Sequence, residues 1–247
     1  GRGHMGSAMS LIEILRVLYD KILNFNPKKP KDENRDRMIL SKGHGCLALY
    51  ALLADKKFFN KKTLTTASRF NSILGGHPEY GKVPGVEAST GALGHGPAIG
   101  AGMAMAAKLK KQKHKIYVIV GDGEINEGSF WETSMIASKH KLENLHVIID
   151  YNKIQSYGRT KEVLDLEPLK DKLKSFGYNV AELNGHNVSK LYNYFKRIKK
   201  NKNKPTALIC HTIKGKGFPF AENNPRWHHK NFFTKEEILL INNCLGK

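Results

Sequence analysis

The chain has 247 residues, with 41 Lys or Arg against 22 Asp or Glu, and so a formal net charge of +19. Hydrophobic residues make up 40% and charged residues 26%, a balance that is typical of globular proteins and excludes intrinsic disorder. The longest uncharged apolar stretch, 98–107, has ten residues. A membrane-spanning helix needs about 20, so no such helix is predicted.

The N-terminal half is predicted to contain helices separated by glycine-rich loops. Apolar residues at helical spacing predict an amphipathic helix at 10–23. A short strand at 37–40 leads into the loop Ser41-Lys42-Gly43-His44-Gly45. The other elements predicted here are a helix at 46–53, a loop at 71–84, a glycine-dense segment at 91–102 and a helix at 101–109.

The C-terminal half begins with the clearest unit. Continuous apolar, β-branched residues predict buried strands at 116–120 and 145–150, joined by the turn Gly121-Asp122-Gly123 and a helix at 127–140. The right-handed crossover rule makes these two strands parallel. The remaining predictions are helices at 166–176, 188–200 and 235–244 and strands at 178–182 and 206–211.

This alternation of strands and helices determines the predicted fold. It favours an α/β three-layer sandwich, with a mostly parallel central sheet that is covered by helices on both faces. No internal repeat, low-complexity linker or change in composition marks a domain boundary. We therefore expect residues 1–247 to form a single domain.

The high positive charge favours a solvated surface over a nucleic-acid site. Lysines number 33 and arginines only eight, whereas phosphate-reading surfaces favour the bidentate fork of arginine. The lysines are scattered, with the densest runs at 108–115 and 196–204. A face that binds a polyanion or an acidic partner stays open as the alternative, and the same field would attract a small anionic substrate.

Cysteine usage indicates the compartment. The three cysteines, Cys46, Cys210 and Cys244, are widely spaced and form no CxxC pair. This pattern disfavours a disulfide scaffold or a zinc finger and fits a reducing cytoplasm. The start of the chain shows no basic-then-apolar segment with a cleavage site, so no secretory signal is predicted. We expect a cytoplasmic protein without a membrane association.

Oxygen-bearing side chains follow two neighbouring predicted strands. Asp122 comes directly after the first strand, and Asn152, separated from Gly123 by 28 residues, follows the second. Ligands of open α/β sheets bind at these carboxyl ends. Such oxygens suit Mg²⁺, and a helix N-terminus beside them suits phosphate. Gly121 and Gly123 would let the backbone come close to the phosphates. For the Gly-Asp-Gly turn alone, Asp122 as an ordinary helix N-cap is the alternative.

Five segments, in order along nearly the whole chain, resemble the transketolase family. Gly121-Asp122-Gly123 with Asn152 matches the thiamine-diphosphate signature, and the stretch GDGEINEGSFWETSMIASKHKLENLHVIIDYNKIQ is similar to transketolase specifically. The resemblance implies the thiamine-diphosphate-binding fold of the diphosphate (PP) domain. The other four segments are RGHMGSAMS at the start, RDRMILSKGHG at 35–45, GHPEYGKVPGVEASTGALGHG at 76–96 and TIKGKGFPFAENNPRWHH at 212–229.

The resemblance implies thiamine diphosphate and Mg²⁺ as cofactors, with Ca²⁺ as a substitute metal. Asp122 and Asn152 are implied to bind the metal through their side chains, and Ile154 through its backbone carbonyl. Gly123 would lie against the diphosphate. The full set of implied cofactor-binding residues is Gly91, Leu93, Gly121, Asp122, Gly123, Asn152, Ile154 and His44.

Imidazole groups are implied to act on the substrate. They would hydrogen-bond the sugar oxygens, the diphosphate or the developing alkoxide, and imidazole suits proton transfer near neutral pH. His95 stands where the family usually has Gln. Two glutamates match a buried pair at the interface between cofactor sites. The implied catalytic residues are His4, His44, His77, His228, Glu127 and Glu132.

The activity implied by the resemblance is the transfer of a two-carbon ketol unit from a ketose phosphate to an aldose acceptor, as in pentose phosphate metabolism. The pyrimidine-binding and C-terminal domains of the family have no counterpart in the chain. The resemblance therefore implies the N-terminal subunit of a split enzyme, active with a C-terminal transketolase subunit in an α2β2 assembly. The alternatives are a related enzyme such as 1-deoxyxylulose-5-phosphate synthase, a specialised sugar-biosynthetic transketolase, a non-catalytic remnant and, more distantly, a basic nucleic-acid-binding protein.

Overall fold

Five parallel strands form the central sheet of the computed structural model, which describes residues 3–156, 158–198 and 203–246. Their order is β1-β2-β3-β5-β4, and each neighbouring pair is parallel. The predicted parallel sheet is therefore confirmed. The strands are β1 (Arg37–Leu40), β2 (Ile116–Gly121), β3 (Leu145–Tyr151), β4 (Asn179–Asn184) and β5 (Thr206–His211).

Helices surround the sheet, and within the described ranges none is long and apolar enough to cross a membrane. Short 3₁₀ turns occupy Gly43–Gly45, Lys61–Thr66, Gly123–Asn126 and Pro225–Trp227. The α-helices are α1 (Met5–Met9), α2 (Ile12–Val17), α3 (Cys46–Asp55), α4 (His95–Leu109), α5 (Gly128–Lys139), α6 (Thr160–Val163), α7 (Leu169–Ser175), α8 (Val188–Arg197) and α9 (Lys235–Cys244).

Both faces of the sheet are covered. Every residue of β2 and β3 is buried, as their continuous apolar sequences predict for strands packed on two sides. Tyr117 of β2 lies in a buried cluster with residues of α2, α3 and α8. Its neighbour Val118 lies in a second cluster with α4, α5 and α7. Successive side chains of a strand point to opposite faces, so one strand serves two cores and the three-layer prediction is confirmed.

The N-terminal helix differs from its prediction. Instead of one helix at 10–23, the structure has α1, a turn at Ser10, α2 and a π-helical turn over Leu18–Ile22. The Ser10 hydroxyl donates to the Ser7 carbonyl at 3.2 Å and to Asp150 Oδ2 at 2.6 Å. The hydrogen bond to the carboxylate at the end of β3 thus holds the turn that separates α1 from α2, and the predicted span is divided between α2 and the π-helical turn.

Helix α4 begins six residues earlier than predicted, at His95 rather than 101. Its glycines indicate a loop when only the sequence is considered, but Gly100 is required by close packing on the sheet. A Cβ at Gly100 would lie 2.5 Å from the Val118 side chain. Pro97 falls in the first turn, where proline costs no helical hydrogen bond.

The remaining boundaries shift by a few residues. Helix α7 begins at Leu169, directly after Pro168, rather than at 166. Strand β4 runs two residues further than predicted, to Asn184. Helix α8 is described to Arg197, and residues 199–200 of its prediction lie outside the described ranges.

Candidate active site

The loops that follow four strands meet at the carboxyl edge of the sheet. Lys42 follows β1, Asp122 follows β2, Asn152 follows β3 and Lys214 follows β5. All four are buried. Parallel strands bring their carboxyl ends to one edge, so residues far apart in sequence become neighbours there.

The two side chains predicted to hold a metal follow adjacent strands. The register pairs Gly121 with Asp150, so Asp122 and Asn152 leave the sheet side by side. Their exposed fractions are 3% and 5%. The structure therefore places both at the point that the sequence predicts.

Backbone hydrogen bonds orient these oxygens. Asp122 Oδ1 accepts the Gly123 N–H at 2.8 Å, and its Oδ2 accepts the N–H of Lys153. Asn152 Oδ1 accepts the Ile154 N–H at 3.1 Å. A carboxylate, an amide and a backbone carbonyl are thus gathered on two consecutive loops, and oxygen donors of this kind could hold a hard cation.

The surroundings of Asp122 disfavour the ionised form of its carboxyl group. Burial, and then the charge of Asp150, raise its pKa to about 6, although the Gly123 and Lys153 amides oppose the shift. A cation bound at this carboxylate would favour the ionised form. An additional positive charge would therefore stabilise the ionised form of Asp122.

A buried ion pair, to which the sequence analysis assigned no role, lies next to Asp122. The Lys42 ammonium lies 2.5 Å from Asp150 Oδ2, and the side chains are 2% and 0% exposed. The hydroxyls of Ser10 and Thr212 also donate to Asp150. Burial would raise the pKa of Asp150, but Lys42 and these hydrogen bonds outweigh it and hold the pKa below its usual value. A charged residue at the end of an apolar strand was the only signal in the sequence.

A second buried lysine faces the same edge. Lys214 Nζ donates to the Ile154 carbonyl at 2.8 Å and to His228 Nδ1 at 2.5 Å. Burial, followed by the charge of Lys42, lowers the pKa of Lys214 to about 8. Two buried ammonium groups close to each other indicate an anion site, because an anion would relieve their repulsion.

Glu124 ties the Gly-Asp-Gly turn to the neighbouring loops. Its Oε1 accepts the Gly94 N–H at 3.0 Å and the Ser41 hydroxyl, and its Oε2 accepts the Gly121 N–H at 3.1 Å. Burial raises its pKa. The segment that contains Gly91 and Leu93 is thereby held beside the turn.

The four predicted active-site histidines come together from four separate loops. The ring centroid of His4 lies 5.2 Å from that of His44, 5.3 Å from that of His228 and 6.5 Å from that of His77. His44 and His228 are 5.8 Å apart. A fifth ring, that of His229, lies 4.5 Å from His4. His229 was missed, since only its neighbour aligns with the family pattern.

Most of this cluster is held uncharged. Burial is the largest cause, followed by nearby histidines or Lys42, and lowers the pKa of His4 to about 4 and that of His44 well below its usual value. Burial and then Lys214 lower the pKa of His228 to about 3. Because Lys214 donates to Nδ1 of His228, the proton of that neutral ring must be on Nε2, which lies 3.1 Å from the Ser156 hydroxyl.

The two predicted interface glutamates lie on the surface of the single chain. Glu127 directly precedes α5 and Glu132 lies within it, and both are exposed. The same helix exposes Met135 and Ile136, at 56% and 49%. The burial expected for this pair therefore requires another chain. His95 is exposed at the start of α4, with its Nδ1 3.1 Å from the Leu93 carbonyl.

The family described as "Transketolase, thiamine diphosphate binding domain" matches residues 1–247. The chain belongs to the transketolase family. An apulose-4-phosphate transketolase subunit of Phocaeicola vulgatus is 45% identical over 92% of this chain and 80% of its own length. A 6-deoxy-6-sulfo-D-fructose transketolase subunit of a Clostridium species is 39% identical over 93% of this chain and 83% of its own.

Solved transketolases have the same fold. The Campylobacter jejuni enzyme superimposes with a TM-score of 0.91 at 33% identity, covering 99% of this chain and 39% of that one. The Pichia stipitis transketolase in complex with sedoheptulose 7-phosphate gives a TM-score of 0.92 at 30% identity, covering 99% of this chain and 38% of that one. The chain thus has the thiamine-diphosphate-binding fold of the transketolase N-terminal region, as predicted.

The residues at the carboxyl edge fit the cofactor of this family. A diphosphate needs positive charge, and Lys42 and Lys214 supply two buried ammonium groups. Asp150 neutralises only part of this charge. A bound cation would stabilise the ionised form of Asp122, whose pKa is raised. Transketolase chemistry and the electrostatics of this edge therefore agree.

Proposed function

We propose that the chain is the diphosphate-binding subunit of a split transketolase, which moves a two-carbon ketol unit from a ketose phosphate to an aldose acceptor. Residues 1–247 would form one such domain, paired with a pyrimidine-domain subunit in an α2β2 assembly. The proposal depends mainly on one observation. Oxygen ligands, two buried lysines and a histidine cluster share one edge of the sheet. Free cysteines, two of them buried, favour the cytoplasm as its compartment.

Mg²⁺ is the metal that this set of oxygens suits best. Asp122, Asn152 and the Ile154 carbonyl supply three oxygen donors, and octahedral Mg²⁺ takes its remaining ligands from phosphates and water. Ca²⁺ accepts the same donors. Lys214 donates to the Ile154 carbonyl, so a buried ammonium group that could bind phosphate lies beside the proposed metal ligands.

In the proposed reaction, the protein would position the sugar and transfer protons to and from it. Bound thiamine diphosphate supplies the electron sink for breaking a carbon–carbon bond. Neutral rings of His4, His44 and His228 can each donate one hydrogen bond and accept another, so they can hold sugar hydroxyls and pass a proton without adding charge. His77 lies at the exposed side of the cluster, where we expect it to contact the sugar.

The substrate class that we propose is an anionic ketose. The two relatives described above are named for a sugar phosphate and for a sulfonated sugar. The net charge of +19 would attract either anion. Ketol transfer from a panel of phosphorylated and sulfonated ketoses, measured with the assembled enzyme, tests this. Equal activity on uncharged ketoses would contradict it.

His77→Ala is expected to lower kcat by about 10²-fold and to leave cofactor affinity within about twofold, because this ring handles substrate protons rather than the diphosphate. Steady-state kinetics and calorimetry with thiamine diphosphate measure the two effects. His95→Ala is the matched control, since His95 is also exposed but its Nδ1 lies near the Leu93 carbonyl. Parallel losses of kcat and cofactor binding in His77→Ala would make His77 a cofactor contact instead.

The histidine cluster should make the cofactor-free chain less stable in acid. The folded-state pKa of His228, about 3, is below the ordinary value of 6.5. The unfolded chain therefore binds more protons at intermediate pH, and stability falls as the pH drops below 6.5 toward 3. The raised pKa of Asp122 acts in the opposite sense between 3.8 and about 6, so a single-site comparison is needed.

Urea unfolding at pH 7 and pH 5 provides that comparison. From pH 7 to pH 5, the free energy of unfolding is expected to fall by about 1 kcal/mol less in His228→Gln than in the parent chain, after a discount for partial exposure. His140→Gln, on the exposed end of α5, should behave like the parent. An identical pH dependence in all three proteins would show that His228 is not held neutral.

A further inference from the structure

The imidazole of His77 rests against the backbone of another loop. A Cβ at Gly91 would lie 2.8 Å from both Cγ and Cδ2 of His77, and Gly91 has a φ of +132°. Only glycine combines this backbone with such close contact. Gly91 therefore defines one face of the His77 ring, while the remaining orientation depends on the loop that bears it.

Side chains of helix α3 hydrogen-bond to the loop that contains His77. The Tyr50 hydroxyl lies 2.8 Å from the His77 carbonyl and 3.1 Å from the Gly75 carbonyl. Cys46 Sγ, one turn earlier on the same helix, lies 3.1 Å from the Gly76 carbonyl. The single Tyr50 hydroxyl proton is thus shared between the Gly75 and His77 carbonyls, and the Cys46 thiol donates to the Gly76 carbonyl between them.

These contacts are buried and specific. Tyr50 is 1% exposed and belongs to the apolar cluster on its face of the sheet. A phenylalanine would fill the same space without a polar group that needs a partner, so the hydroxyl costs stability unless the loop satisfies it. The surroundings of Tyr50 therefore account for the ring by packing, whereas the hydroxyl is satisfied by the His77 loop and by a hydrogen bond with Cys46.

The same helix also positions a second histidine. Helix α3 begins at Cys46, directly after the Gly43–Gly45 turn that contains His44. A Cβ at Gly43 would lie 2.8 Å from the Gly91 amide nitrogen. The His44 turn, Gly91 and the His77 loop are therefore stacked on one another, and α3 contacts both ends of the stack.

We propose that Tyr50, assisted by Cys46, is a positioning residue that fixes the His77 loop and thereby aims the His77 imidazole at the substrate. This inference rests on the proposed function, in which His77 acts on the sugar. Tyr50 itself lies beneath the loop and acts through His77. Loss of its hydroxyl should therefore affect turnover but not the metal or the diphosphate.

Tyr50→Phe in the assembled enzyme tests this. We expect kcat to fall about 5- to 10-fold, which corresponds to the loss of roughly one hydrogen bond, while thiamine diphosphate affinity stays within about twofold. Tyr19→Phe is the matched control, because Tyr19 is buried in the same cluster and its ring contacts Phe25 at 5.4 Å. That variant should keep the parent kcat.

A double-mutant cycle separates positioning from general packing. In a His77→Ala background, Tyr50→Phe should cause no further loss of kcat, because a residue that acts only through His77 has nothing left to aim. Amide exchange of Thr90, whose N–H donates to the Pro78 carbonyl beside His77 at 3.1 Å, should be faster in Tyr50→Phe than in the parent and unchanged in Tyr19→Phe when it is measured in the full chain.

The outcomes are distinguishable. If Tyr50→Phe lowers kcat equally with and without His77, or slows turnover no more than Tyr19→Phe, the inference is wrong and Tyr50 serves packing alone. If amide exchange of Thr90 does not respond, the hydrogen bonds do not hold the loop and the inference is also wrong. If the parent assembly shows no ketol transfer but Tyr50→Phe still speeds amide exchange, the proposed function is wrong. His77 would then have no role in binding a sugar.

Discussion

Assayed alone, the chain is expected to show no ketol transfer above background, and a pyrimidine-domain subunit is expected to raise the rate by about 10²- to 10³-fold or more. The catalytic edge of the single chain is open on one side, since His77 and His229 are exposed. Electrostatic contacts are weakened by water, and losing one preorganised contact in a closed site typically costs about this factor.

The surface of the single chain supports the same expectation. Met135 and Ile136 of α5 are exposed beside Glu127 and Glu132, and Leu109 at the end of α4 is 78% exposed. Apolar side chains of this kind, clustered on two packed helices, are typical of a surface that another chain covers. The unpaired glutamates would then become the buried pair that the family resemblance implies.

The measurement is co-purification of the chain with the product of a neighbouring gene that encodes a pyrimidine-binding domain. Ketol transfer is then assayed with Mg²⁺ and thiamine diphosphate for each chain and for the mixture. The mixture prepared with the Asp122→Ala chain is the control for contaminating activity. Full activity from the isolated chain would overturn the split-enzyme proposal.

Asp122→Ala is expected to weaken thiamine diphosphate binding by about 10²-fold or more in the assembled enzyme, with little loss of folding. The variant lacks the one carboxylate among the proposed metal ligands, and each 1.4 kcal/mol of lost binding energy is tenfold in affinity. Folding should survive because burial and Asp150 already disfavour the Asp122 anion, as its raised pKa shows.

Calorimetry with thiamine diphosphate at several Mg²⁺ concentrations measures this loss. Asp122→Asn keeps one oxygen ligand without the charge and should show an intermediate affinity. Asp171→Ala is the matched control, because Asp171 is an exposed carboxylate on α7 that pairs with the surface residue Lys174. An Asp122→Ala enzyme with the parent affinity would remove Asp122 from the metal site.

Local sequence patterns were sufficient for the sheet and for the position of the proposed metal ligands. Apolar runs with β-branched residues identify β2 and β3, and the crossover between them makes the strands parallel. Parallel strands must bring Asp122 and Asn152 to one edge. These inferences depend on residues that are close to one another in sequence. Their spacing along the chain is directly visible in the sequence pattern.

The charged interior of the site was decided by tertiary structure alone. Lys42 and Asp150 are 108 positions apart and pair only because β1 and β3 end at the same edge. Neither neighbouring sequence distinguishes them from a surface lysine and a strand-end aspartate. Lys214 likewise becomes part of the site only through its contacts with Ile154 and His228.

The histidine cluster combines both kinds of information. The family resemblance selects His4, His44, His77 and His228, but only the packed loops bring His229 beside His4 and place Tyr50 beneath His77. Likewise, the apolar spacing at 10–23 predicts one helix, whereas the structure begins α2 only after a turn at Ser10, whose hydroxyl bonds to Asp150. Whether a polar group is buried, paired or charged depends on partners that arrive from distant segments, and no local periodicity encodes those partners.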